Sequence, residues 1–200
     1  TSSPPDESEA RTTSTGDAPQ QTSEPTQAPT AANVLGHAAL DQFLPAAVTW
    51  AEAQSRRGRE QGRPLSATEF EIARQAGVAA PASIRLMSTD DLSPPNDPVL
   101  RAAVQQLGLL GPELVGLTLG HTIYLNPVHA STAVLCHECR HVHQYENVGS
   151  IAEFIKTYLH QIAHFGYLQA PLEIDAREHE CTGDAGATAQ GDRLPLGVDA

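Results

Sequence analysis

The sequence predicts an α+β fold, a small sheet packed with helices, on three observations. Strand-forming residues cluster in short runs at 83–87 and 115–125, capped amphipathic segments flank them, and the last helical segments follow one another without an intervening strand. The first helix is expected over 48–59 around Trp50, with Gly58 and a run of arginines weakening its end. Ser66 and Glu69 form a capping box that opens a second helix through Phe70, Ile72 and Ala73, stopping at Gly77. A short strand follows at 83–87. Asp97 and Pro98 open a third helix through Leu100, Ala103, Val104 and Leu107, with Gly108 as its stop. The segment 115–125 is broken by Gly116 and Gly120, which suits a bent or hairpinned strand. Ser131 and Thr132 start a helix that Gly149 ends, with Leu135, Cys139 and Val142 as its apolar face. Ser150 and Glu153 open the next helix, which ends near Gly166 and carries Phe154, Ile155, Tyr158, Leu159 and Ile162 as its buried stripe. Pro171 suits the first turn of a last helix.

Composition sets the boundaries. Residues 1–33 contain no Leu, Ile, Val, Met or aromatic side chain, so they bury too little apolar surface to offset chain entropy and are expected to be a disordered extension. One domain is expected over 34–181, and 182–200, with Gly, Asp, Ala and Pro interleaved, reads as a loose tail. The formal net charge of −12, with Lys156 the single lysine, argues against nucleic acid as a partner, because a phosphate backbone calls for a basic face. No run of about twenty apolar residues is present to span a membrane. The chain starts at Thr1, which is compatible with a processed, exported form as well as with a cytoplasmic one.

The chemistry concentrates in His-Glu-Cys-Arg-His, residues 137–141. Histidines four apart on a helix share a face, so His137 and His141 can direct ring nitrogens at one metal ion, and the spacing points to zinc. Glu138 falls beside them, near enough to act as general base on a metal-activated water. At about 100° per residue, His137, His141 and Tyr145 lie off the Leu135/Cys139/Val142 stripe. A third protein ligand is required. Gln144 and Asn147 occupy the positions where one large class of zinc peptidases has Gly and a third His, so the donor is sought on the last helix, where Glu173, Asp175 and Glu178 are candidates.

Three stretches carry a resemblance: Gly-Leu-Thr-Leu-Gly-His-Thr-Ile-Tyr-Leu (116–125), His-Glu-Cys-Arg-His-Val-His-Gln-Tyr-Glu (137–146) and Pro-Leu-Glu-Ile-Asp-Ala-Arg (171–177). Together they resemble small bacterial zincin-like metallopeptidases of the gluzincin, His-Glu-x-x-His type, over about a third of the chain. The resemblance implies a zincin-like fold, zinc held by His137, His141 and a downstream acid, Glu138 as base, and a peptide or protein substrate. It favours Glu173 as the acid, three residues before the small Ala176, with Asp175 as the alternative. It also implies that the strand before the motif helix lies along the cleft, a role falling on 120–124. Tyr167, His143 and Tyr145 are candidate oxyanion donors, and His143 and Gln144 candidate supports for the ligands.

Other features are read more plainly. Cys136 and Cys139, in positions where the family pattern has apolar residues, are taken as small apolar side chains rather than a redox or zinc pair, and Cys181 as isolated. His160 and His164 lack an intervening Glu and are read as packing residues. The rival to the hydrolase is a non-catalytic binding domain stabilised by zinc, and beyond it a metal-free acidic interaction domain.

Overall fold

In a computed structural model, residues 37–107 and 109–181 are described. The expected extension at 1–33, the tail at 182–200 and the stop at Gly108 lie outside these residues. The order is α1 (His37–Gln61), β1 (Arg63–Pro64), α2 (Ala67–Gln75), β2 (Arg85–Ser88), α3 (Pro98–Gln106), β3 (Gly116–Leu119), β4 (Thr122–Leu125), α4 (Thr132–Val148), α5 (Ile151–Phe165) and α6 (Pro171–Glu178). Single 3-10 turns occupy Pro81–Ser83, Thr89–Asp91 and Tyr167–Gln169. The α+β class therefore holds, with four strands and six α-helices among the described residues.

Local capping places most of these boundaries. The Ser66 hydroxyl accepts from Glu69 N–H while the Glu69 carboxylate accepts from Ser66 N–H, completing the capping box of α2. Asp97 Oδ1 accepts from Val99 and Leu100 N–H at 2.9 and 2.8 Å and starts α3. Ser131 caps α4 at Val134 N–H, and Gly149, at φ 87°, ends it in the left-handed conformation that glycine adopts without a Cβ clash. The helix expected over 48–59 is longer at both ends, because Pro45 does not break it. Leu40 is buried, and Phe43 and Leu44 pack against Leu100, Val104 and Leu159, so tertiary burial outweighs the proline's lost N–H bond. Gly58 continues α1 because the helix runs against β4 there, where a Cβ would fall 2.8 Å from Thr122 Cβ.

The sheet has the order β1-β2-β4-β3. β2 and β4 run parallel with Leu86 opposite Ile123, and β3 folds back antiparallel on β4 with Thr118 opposite Ile123. Every residue of β4 is buried. Ile123 and Leu125 face Leu135, Cys136, Cys139 and Val142 of α4, while Tyr124 packs with Ala51 of α1. Hydroxyls of Thr122 and Tyr124 donate to the carbonyls of Ser55 and Gln54, pinning α1 to the sheet. β4 is thus the interior strand. The cleft role expected for 120–124 does not fit it, and β3 is the edge that faces the functional residues.

Two further expectations change. The polar face of α4 is not left open: α5 and α6 cover it, so His141, Gln144 and Tyr145 are as buried as the apolar stripe. Cys181 is not isolated, being disulfide-bonded to Cys136 with Cα atoms 5.7 Å apart. Their sequence separation of 45 placed the pair beyond the reach of spacing arguments. Cys139 is a free, fully buried thiol on the Leu135/Val142 stripe, as its position suggested. His160 pairs with Asp41 of α1 and His164 sets its ring edge-on against Phe165, so both belong to packing contacts. Much of the arginine cluster is engaged within the chain: Arg63 forks onto Glu69 at 2.8 Å twice, and Arg57 reaches the Asp91 carbonyl and Ser93. No helix among the described residues is long and apolar enough to cross a membrane.

Candidate metal centre

Helix α4 presents His137 and His141 on one face, and α6 crosses it so that Glu173 meets them. His137 Nε2 and His141 Nε2 are 3.2 Å apart, Glu173 Oε2 is 3.4 Å from the first, and Glu173 Oε1 is 3.3 Å from the second. These three residues form the one His/Cys/Asp/Glu group among the described residues that is placed to share a metal ion. Donor atoms about 2.0–2.1 Å from a tetrahedral ion sit about 3.3 Å from one another, and the three residues come near that spacing with a different carboxylate oxygen closest to each imidazole.

Proton bookkeeping around the imidazoles sharpens the fit. The Gln144 amide nitrogen donates to the Leu172 carbonyl and to Asp175 Oδ2, so its oxygen is the atom facing His141 Nδ1 at 2.8 Å, and that Nδ1 must carry the proton. His137 Nδ1 donates in the same way to Glu180 Oε1 at 3.0 Å. With Nδ1 of each ring so engaged, the neutral form of either imidazole would turn its Nε2 lone pair toward the Glu173 carboxylate. Glu173 is 1 % exposed; its Oε1 accepts from Tyr158 O–H at 2.7 Å and its Oε2 has no hydrogen bond. Lone pairs converging without a proton between them, beside an orphaned buried carboxylate oxygen, suit a cation. Burial opposes charge on Glu173, but the two histidines and Tyr158 hold its carboxyl below the ordinary range. Burial likewise opposes charge on His137, and the Glu173, Glu138 and Glu180 carboxylates more than offset it, raising its pKa.

Glu138 stands beside this group and is buried. Its Oε2 accepts from Thr118 O–H of β3 at 2.7 Å. Burial pushes its pKa up, partly countered by His141 and His137. Gly116 makes room for it, since a Cβ there would lie 2.8 Å from Glu138 Cδ and 2.9 Å from Cγ.

The remaining candidates separate clearly. Asp175 points away from the donors, forking onto Arg140 at 2.8 and 2.9 Å, and Glu178 is exposed outside the cluster. Tyr167 adjoins Glu173, and burial followed by that carboxylate raises its pKa. His143 instead contacts the Gly77 carbonyl and Asn147, tying α4 to the end of α2, so it supports no ligand. Tyr145 stacks on Phe154 with its hydroxyl buried and unpaired. Tyr158, Thr118, Gly116 and Glu180 join the site without having been singled out. The one hint was Thr118, a hydroxyl between two leucines in a strand.

No family model, curated protein or solved structure matches the chain. The site's chemistry must be argued from its own atoms.

Asp175 is held to about 2, first by the Arg140 guanidinium, against opposing burial, with Gln144 assisting. A depressed carboxylate contributes stability that is present above its unfolded pKa of about 3.9 and lost as pH falls through the folded value. Asp175→Asn is therefore expected to destabilise the protein by about 1–2 kcal/mol near neutral pH, discounted for partial exposure. Urea unfolding should show that difference shrinking between pH 4 and 2; a constant difference would remove the ion pair as its source.

Proposed function

We propose that this chain is a zinc-dependent metallopeptidase of zincin-like build that hydrolyses peptide bonds, with His137, His141 and Glu173 as metal ligands and Glu138 as general base. The observation that carries this reading is the convergence of two imidazole lone pairs and a buried, unpartnered carboxylate oxygen next to a second buried carboxylate. Zinc, when bound there, would lower the pKa of a water toward about 7 and polarise the scissile carbonyl.

The protein's own groups supply the rest. Glu138, with its pKa raised by burial, is suited to take a proton near neutral pH and return it to the leaving amine. Thr118 holds one oxygen of that carboxylate, and Gly116 leaves the other space to turn toward substrate. Glu180 and Gln144 fix the tautomer and tilt of the two imidazoles. Tyr167, half exposed beside Glu173 and kept protonated by its raised pKa, is the hydroxyl available to an oxyanion. β3, at the sheet edge, offers main-chain groups to an extended peptide.

The test is elemental analysis of protein offered zinc, beside a peptide pool incubated with and without chelator and read by mass spectrometry. One zinc per chain with chelator-sensitive cleavage supports the reading. One zinc without cleavage, and unfolding on chelation, would favour the zinc-stabilised binding domain. Gly116→Ala separates the base from the metal: zinc uptake should persist while cleavage falls roughly 10²-fold, because the added methyl displaces the Glu138 carboxylate.

A further inference from the structure

Beside the donor cluster lies a cavity of about 470 Å³. Its walls come from widely separated parts of the fold, with Trp50 of α1, Leu100 and Val104 of α3, Leu117 of β3 and Leu159 of α5 among them. Apart from Glu113, its ionisable lining groups belong to the cluster and its surroundings, and neither Lys nor Arg lines it. Protein interiors close-pack and rarely leave voids much larger than a water, whereas ligand cavities run about 300–1,000 Å³ with apolar walls and a few polar groups at one place. Here the apolar faces of α1, α3 and α5 meet in satellite contacts, and the space they leave opens onto His137, Glu138 and His141.

We infer that this chamber receives a bulky apolar side chain, of leucine or phenylalanine size or larger, from the peptide that is cut; the inference rests on the hydrolase reading above. The absence of a cation from the walls disfavours an acidic group, which would lose its hydration without gaining a partner. A charged basic group would find a carboxylate outside the cluster only at Glu113 and would lose its hydration against the apolar remainder of the wall. A small residue would leave the chamber unfilled and forgo the burial it offers.

The sole tryptophan, Trp50, forms part of the wall, so its emission reports occupancy directly. Zinc content is measured first. The zinc-loaded protein is then titrated with the hydroxamates of glycine, alanine, leucine and phenylalanine, which share one chelating head. The expected result is a shift in Trp50 emission and a dissociation constant that falls roughly 10–100-fold from glycine to leucine or phenylalanine. Ala47→Phe, which fills the chamber from α1, should flatten the series while zinc uptake stays intact; if that variant does not fold, the wild-type series decides alone. A flat series on zinc-loaded protein overturns the chamber and leaves the metal site standing. If no zinc is taken up, the N-acetyl amides of the same amino acids are titrated into metal-free protein. Affinity rising with side-chain size then keeps the apolar pocket and removes the hydrolysis, and a flat series overturns the inference.

Discussion

Glu173→Gln is expected to reduce zinc affinity by at least about 10²-fold, and to cost the metal-free protein part of the stability that the depressed carboxyl contributes near neutral pH. The side chain is the single anionic donor of the three, and an amide in its place brings N–H groups toward the two Nε2 lone pairs. Part of that cost is offset, because the amide oxygen can still accept from Tyr158 O–H and the amide nitrogen can donate where the carboxylate oxygen had no hydrogen bond. Thermal unfolding reads the difference. Zinc at about 100 times its dissociation constant should stabilise the wild type by about 2.7 kcal/mol and the variant by far less. Equal stabilisation of both proteins would mean that zinc binds elsewhere and would sink the proposed ligand set.

Glu138→Gln is expected to leave zinc bound and lower peptide cleavage by about 10²–10⁴-fold, the range for loss of a positioned general base. A second consequence follows from burial. The folded pKa of Glu138 is raised, so its carboxylate costs stability as pH rises past the unfolded value, and glutamine carries no such cost. The variant should therefore match or exceed the wild type in stability at neutral pH, with the gap closing below about pH 4. A cleavage loss accompanied by a lower Tm at pH 7 would point instead to damaged folding.

The fold was legible wherever a signal is local. Ser66 with Glu69, Asp97 before Pro98, Ser131, Gly149 and Gly166 all mark ends that rest on hydrogen bonds within a few residues. The spacing of His137, Glu138 and His141 was legible for the same reason, since one helical turn sets it. Strand order was not, because pairing β2 with β4 depends on a contact some 37 residues away in sequence, from Leu86 to Ile123. That crossing is what makes β3 the edge and puts 122–125 in the interior of the sheet. The start of α1 ahead of residue 48 was missed for a related reason, its first turns being sustained by packing on distant leucines. At the site, Thr118, Gly116, Tyr158 and Glu180 act through contacts from β3, α5 and the segment after α6, so no period or motif announces them. Glu173, favoured over Asp175 by the resemblance, lies with the two histidines, while Arg140 claims the aspartate.

The Cys136–Cys181 bond closes a covalent ring around the candidate metal centre. Its covalent ring begins one residue before His137 and closes one residue after Glu180, so all three donors, Glu138, and the whole of α5 and α6 lie inside it. A single break in the chain anywhere on that ring, self-inflicted or otherwise, leaves two ends still joined through sulfur, and the half bearing Glu173 cannot diffuse away from the half bearing the histidines. Nicked molecules would separate only where thiols open the bond, so the survival of the nicked cluster would depend on the redox surroundings.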